Sequence, residues 1–181
     1  KVAQSTASSG LVMPPRPIAL ITGASAGIGR EYAIFLAEKG HALVLVARRE
    51  DRLIEVKKLV SERFGARAMV IAEDLSHAAA PRRIADTVRA SGLEIDVLVN
   101  NAGICSFFPF DDLDEREWDR TMDVIVKGAF HCTRAVLPDM THARWGRIVN
   151  VASLAGLSGA PYIIAYTASK HALVGLTRAA A

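Results

Sequence analysis

The chain has 181 residues, with 22 Lys plus Arg against 19 Asp plus Glu and so a formal net charge of +3. That length suits one domain with a sizeable core, and 51% hydrophobic against 23% charged residues excludes wholesale disorder. The sequence pI near 9.1 is no signature of nucleic-acid binding, because the basic residues are scattered or interleaved with acids and form no block.

Residues 1–16 are rich in Ser, Ala and Pro with no apolar run long enough for a secretory signal, and read as a flexible leader ahead of a domain over 17–181. The first strand is expected at 18–21. A helix follows, with Ile28, Tyr32, Phe35 and Leu36 at helical spacing and Gly40 at its C-terminal end. Strand two falls at 42–47. Residues 50–64 place Leu53, Val56, Leu59 and Val60 on one helix face, and Gly65 ends it. Strand three is 68–72, a weaker helix covers 78–91, and strand four is 97–99. A long helical stretch at 115–140 has Lys127-Gly128 as its candidate break, and Pro138 is tolerated only in its last turn. Strand five is 148–151, and a last helix starts near 163. The strands are continuously apolar and largely β-branched, as strands buried on both faces are. Alternating them with helices implies right-handed crossovers and an α/β, doubly wound parallel sheet.

No segment reaches the length of a membrane span, so no membrane partner is expected, and the cytoplasm is the default compartment. Cys105 and Cys132 read as small buried hydrophobes rather than a redox pair. The five histidines show no metal-ligand spacing, and His171 is read as structural.

Between the first strand and first helix stands Thr22-Gly23-Ala24-Ser25-Ala26-Gly27-Ile28-Gly29. Glycines here let a pyrophosphate approach the backbone, and the helix N-terminus offers it free N–H groups and a positive dipole end. A tight turn with no ligand is the bland reading. The strand before and the helix after are the context that a nucleotide loop needs, and they favour the sharper one.

The spacing Gly-x-x-x-Gly-x-Gly, with Asn100-Asn101-Ala102-Gly103 after strand four, Ser153 past strand five and Tyr166-x-x-x-Lys170 beyond it, resembles the short-chain dehydrogenase/reductase family. The resemblance runs from Pro17 to Ala181 and implies a Rossmann-type fold. It implies a cofactor site made of Gly23, Ser25, Ala26, Gly27, Ile28, Gly29, Asn101, Ala102 and Gly103. Asp74-Leu75 resembles the family's adenine-contacting pair, although an aspartate there could also cap the next helix.

Tyr166 and Lys170, at i and i+4, share a helix face, so the ammonium lies close enough to favour the phenolate form. Such a tyrosine can exchange a proton near neutral pH. The resemblance implies that Tyr166 is the general acid/base, that Ser153 steadies the substrate oxygen, and that Lys170 also grips the nicotinamide ribose. Read alone, Tyr166 could be an interface tyrosine, Lys170 a solvated lysine and Ser153 a turn residue.

Two departures from the family stand out. Ile125 occupies the place where relatives commonly carry a catalytic asparagine, and its side chain neither donates nor accepts a hydrogen bond. Relatives also continue well past the Tyr-x-x-x-Lys helix, so the last two strands are expected to be lacking. At the end of strand two, Ala47 stands where an acid would bind the adenosine ribose, followed by Arg48 and Arg49. That pair favours a 2′-phosphate by charge and bidentate bonding, so NADP(H) is expected over NAD(H).

The expected protein is thus an NADP(H)-dependent oxidoreductase acting on a small-molecule carbonyl or secondary alcohol. A dinucleotide-binding protein without turnover is the alternative, and a partner-binding module the third reading. The 115–140 and 163–181 helices are expected to leave apolar faces open, implying a homodimer or homotetramer.

Overall fold

A computed structural model describes residues 17–181; the expected leader at 1–16 lies outside them. The strands are β1 Ile18–Thr22, β2 Ala42–Ala47, β3 Ala68–Ala72, β4 Val97–Asn100 and β5 Arg147–Asn150. All pair in parallel in the order β3-β2-β1-β4-β5. The chain therefore winds outward from β1 in one direction and then, from β4, in the other, leaving a crevice at the carboxyl ends of β1 and β4.

The crossovers are α1 Gly27–Glu38, α2 Glu50–Phe64, α3 Ala80–Ala90 and the long run α4 Glu115–Met122 to α5 Gly128–Ala143. On one sheet face Ile21, Leu45 and Val99 pack with Leu36, Leu53 and Val60 of α1 and α2. On the other, Leu20, Val44 and Leu98 pack with Ile84 of α3 and Val136 of α5. Successive strand side chains point to opposite faces, and both faces are covered, which is why the strands read as unbroken apolar runs.

The break expected at Lys127-Gly128 is instead a π-helical turn, Asp123–Lys127, inside one continuous rod. Gly128 follows the turn beside Leu75, where a Cβ would make ordinary contact at 3.5 Å. The last helix, α6 Ile164–Ala179, follows a 3-10 turn at Leu154–Gly156 and packs on α4 and the π turn. β5 sits one residue earlier than the apolar run alone suggests.

Three expectations need correction. Cys105 is exposed, and only Cys132 is buried, its thiol pushed up to about 12 by desolvation. Asp74 does not cap α3; its Oδ1 accepts the Ser76 N–H at 2.9 Å, closing a local turn. The apolar excess lies on α5, where Phe130 and Leu137 are 44% and 50% exposed, whereas the large apolar residues of α6 are covered or half-covered. No helix among the described residues is long and apolar enough to cross a membrane.

Candidate active site

Gly23 holds φ +68, and a Cβ there would meet Asn101 Nδ2 at 2.7 Å and Ala102 Cα at 2.9 Å. Gly29 faces the Gly23 carbonyl and the Asn101 amide too closely for any side chain. These two glycines are thus demanded by how the first turn packs on the turn after β4. Thr22, which the sequence reading passed over, is the knot between them. Its Oγ1 accepts the N–H groups of Asn101 and Ala102, each at 3.0 Å. Asn101 returns the contact, donating Nδ2 to the carbonyls of Thr22 at 3.0 Å and Gly23 at 3.2 Å. Its amide donors are therefore spent on shaping the loop. The signal was present in the sequence: a hydroxyl residue immediately before the first glycine.

The N-terminus of α1 carries no side-chain cap, as is true of α2, α3, α5 and α6. In front of it lies a cavity of about 260 Å³ lined by Gly23, Ser25, Ala26, Arg48, Arg49 and Asp74. Leu75, Asn101, Ala102 and Gly103 complete its far wall, with Val46, Ile104 and Val124 supplying apolar surface that was not foreseen. Gly27 borders a neighbouring depression with Arg30, Arg49 and Arg52, and Ile28 points into solvent at 60% exposure. Uncapped N–H groups, two guanidiniums and an apolar slot are the donor set that a dinucleotide's phosphates and adenosine require.

The two arginines are not equivalent. Parallel pairing sets Ala47 opposite Ala72, which carries Asp74 toward Arg48 until Arg48 Nη1 lies 3.8 Å from Asp74 Oδ2. Two acids do line this corner, Glu73 and Asp74, from the turn after β3 rather than the end of β2, with Glu73 paired to Arg83 at 2.6 Å. Burial pushes the Asp74 carboxyl up, but hydrogen bonds from Ser76 and the charges of Arg48 and His77 hold it below the usual range. Among the described residues the Arg49 guanidinium hydrogen-bonds the Ser25 hydroxyl, at 3.5 Å, and no carboxylate.

Ser153, Tyr166 and Lys170 gather where the turn after β5 meets α6. Ser153 Oγ accepts the Ala155 N–H at 3.2 Å and so starts the 3-10 turn, leaving its own O–H to donate elsewhere. The turn lies hard against α6, since a Cβ on Gly156 would come within 2.8 Å of the Lys170 carbonyl. Lys170 is only 4% exposed; its Nζ donates to the Val151 carbonyl at 2.6 Å and lies 5.5 Å from the centre of the Tyr166 ring. Burial pulls the lysine below its ordinary value. Tyr166 and Ile104 both pack against the small cluster of Val124, Ile125, Ala129 and Leu173; Ile104 and Val124 line the cavity, whereas Ser153, Tyr166 and Lys170 are not among its lining residues. Ile125, 2% exposed in the π turn, is wholly within this apolar cluster. His171 is exposed, its Nδ1 3.0 Å from the Thr167 carbonyl.

Fold and candidate site together define a doubly wound parallel α/β domain with a crevice at the carboxyl ends of its central strands. Residues 17–181 match the short chain dehydrogenase family, and the chain belongs to it. It is 37% identical over 164 residues to an uncharacterized oxidoreductase of Thermotoga maritima, covering 91% of this chain and 64% of the relative. Among solved structures it is similar to a metagenomic short-chain oxidoreductase in complex with NADP, at 40% identity and TM-score 0.87, covering 91% of this chain and 74% of the other. It is likewise similar to an NAD+-bound xylitol dehydrogenase, at 37% identity and TM-score 0.83, covering 91% and 64%. The chain spans somewhat under two thirds of the length of the first and last of these.

Proposed function

We propose that this chain forms the cofactor-binding and proton-transfer part of an NADP(H)-dependent reductase or dehydrogenase acting on a carbonyl or secondary alcohol. The observation that carries the reading is Lys170. Burying an ammonium is costly unless it is used, yet among the described residues Lys170 forms no ion pair and is held by one carbonyl beside the Tyr166 ring. An ammonium there stabilises the negative charge that the phenolic oxygen carries once its proton has gone.

A bound nicotinamide would supply the hydride to the carbonyl carbon, or accept it from the alcohol. Tyr166 gives its phenolic proton to the carbonyl oxygen as that oxygen gains charge, and takes it back in the oxidative direction. Ser153, its Oγ lone pair engaged by Ala155, directs its O–H to the same oxygen and fixes its position. Gly23, Ser25, Ala26, Gly27, Ile28 and Gly29 would hold the pyrophosphate. Arg49, with Arg48, would read the 2′-phosphate, which favours NADP(H). Asp74 and Leu75 would border the adenine, and Asn101 to Gly103 the inner end of the crevice. The exposed apolar residues of α5 support a homodimer or homotetramer.

Tyr166→Phe is the direct test. It removes the proton donor and keeps the ring, so turnover should drop about 10²–10⁴-fold while NADPH affinity stays within a few-fold. Full activity in this variant would place the acid elsewhere. The second reading, a dinucleotide binder without turnover, is favoured only by the apolar Ile125 beside Tyr166. NADPH binding with no oxidation across a panel of ketones and aldehydes would establish it instead.

A further inference from the structure

Residues 97–110 and 148–169 each run without a single Lys, Arg, Asp or Glu, although 23% of the chain is charged. The structure joins these two stretches beside the site. The Phe108 N–H donates to the Tyr162 carbonyl at 2.8 Å, tying the loop after β4 to the segment just before α6. On its other side the same loop is fastened to α4, where the Ser106 hydroxyl donates to Glu117. Tyr162 holds this position at φ +66, a conformation unfavourable for a residue with a side chain. The loop is therefore a pinned lip.

Its side chains, however, are not packed. Phe107, Phe110, Leu154, Leu157 and Tyr162 are 74%, 81%, 81%, 66% and 60% exposed. Leu154 follows Ser153 directly, Tyr162 stands about one helical turn before Tyr166, and the lip grows out of Gly103 and Ile104 in the cavity wall. Leu154 thus adjoins Ser153 in the chain, and the Phe108–Tyr162 hydrogen bond brings the 107–110 loop to the segment that leads into Tyr166. Beyond Phe110 come exposed Asp111, Asp112, Asp114 and Glu115, an acidic fringe that repels anions. Neither uncharged stretch offers a cation to a carboxylate or phosphate.

We infer that the substrate is a neutral ketone or secondary alcohol bearing a bulky apolar substituent, seated on Phe107, Phe110, Leu154, Leu157 and Tyr162. Keto acids and thioesters of phosphorylated carriers are disfavoured. The inference rests on the reductase reading above. A preformed apolar lip takes up such a substituent without first ordering itself, so its gain falls mainly on KM.

The experiment compares kcat/KM for acetone, acetophenone, 2-undecanone and acetoacetyl-CoA with NADPH, in the parent chain and in a Phe107→Ala/Phe110→Ala variant. The bulky neutral ketones should exceed acetone at least tenfold and exceed acetoacetyl-CoA by more. In the variant the acetophenone-to-acetone ratio should fall at least fivefold, a readout that general loss of fold cannot mimic because both substrates meet the same protein. An unchanged ratio, or preference for acetoacetyl-CoA, overturns the inference and assigns the lip to covering by other protein. If no ketone is reduced, the reductase reading fails, and calorimetric titration of acetophenone into the NADPH complex decides separately. Binding that the variant loses upholds the apolar seat; no binding removes it.

Discussion

Arg49→Ala should remove most of the proposed preference for NADPH over NADH. Arg49 hydrogen-bonds no carboxylate among the described residues, and at 3.5 Å the Ser25 hydroxyl holds it with little hydrogen-bond energy, so its guanidinium is available to a phosphate. A charge-assisted bond to that phosphate contributes ~1.5–3 kcal/mol, or about tenfold to just over a hundredfold in affinity. Arg48 starts from a different position, because Asp74 lies 3.8 Å away and both side chains are partly solvated, 55% and 29% exposed. Such a pair is worth ~0.2–1 kcal/mol, so Asp74→Asn should release Arg48 and raise NADPH affinity by no more than about fivefold. NADH, which lacks the 2′-phosphate, should respond little to Arg49→Ala. The assay is titration of both cofactors into the parent and the two variants, at low and at moderate salt. Since the guanidiniums are exposed, the preference should shrink as ionic strength rises. Equal affinities in the parent, or a parallel loss for NADH and NADPH in Arg49→Ala, would refute the assignment.

Three further outcomes are expected. Lys170 is held below its ordinary value by burial, so the unfolded chain binds the extra proton in the window between the two values and stability rises with pH through it. Lys170→Met should flatten that alkaline rise in urea midpoints. Ile125→Asn puts an amide into an apolar cluster and should cost ~1–3 kcal/mol by denaturant titration; a faster single-turnover hydride transfer without that loss would show that the missing amide had limited the proton relay. Light scattering should find the parent as a dimer or tetramer and a Phe130→Asp/Leu137→Asp variant as a monomer, and a monomeric parent across micromolar concentrations contradicts the α5 interface.

The elements that sequence patterns reveal are those whose cause is local. The five strands are close to where their apolar runs lie, and the residue-level differences fall at polar ends such as Asn100, Arg147 and Asn150. Gly23 and Gly29 were legible because their reason is a backbone that must come close. What escaped depends on residues distant in sequence. Asp74 reaches Arg48 only through the β2–β3 register. Thr22 acquires its role from the 101–102 turn, 79 and 80 residues away. At Lys127-Gly128 the helix runs on through a π turn, and Gly128 sits beside Leu75 with room for ordinary contact, so the glycine ends nothing there. Ser153 had two candidate roles in the sequence; the structure gives it the turn-starting bond and leaves its O–H donor over for the other.

Within the described sheet β5 is a border strand with one neighbour, β4. The Val151 amide hangs on the Asn100 carbonyl at 2.9 Å, and the Val151 carbonyl in turn holds the buried lysine. One residue therefore couples the β4–β5 pairing to the buried lysine, and opening at Val151 would loosen both bonds. Amide exchange at Val151 measures how often this seam opens and so how often the proposed lysine loses its anchor.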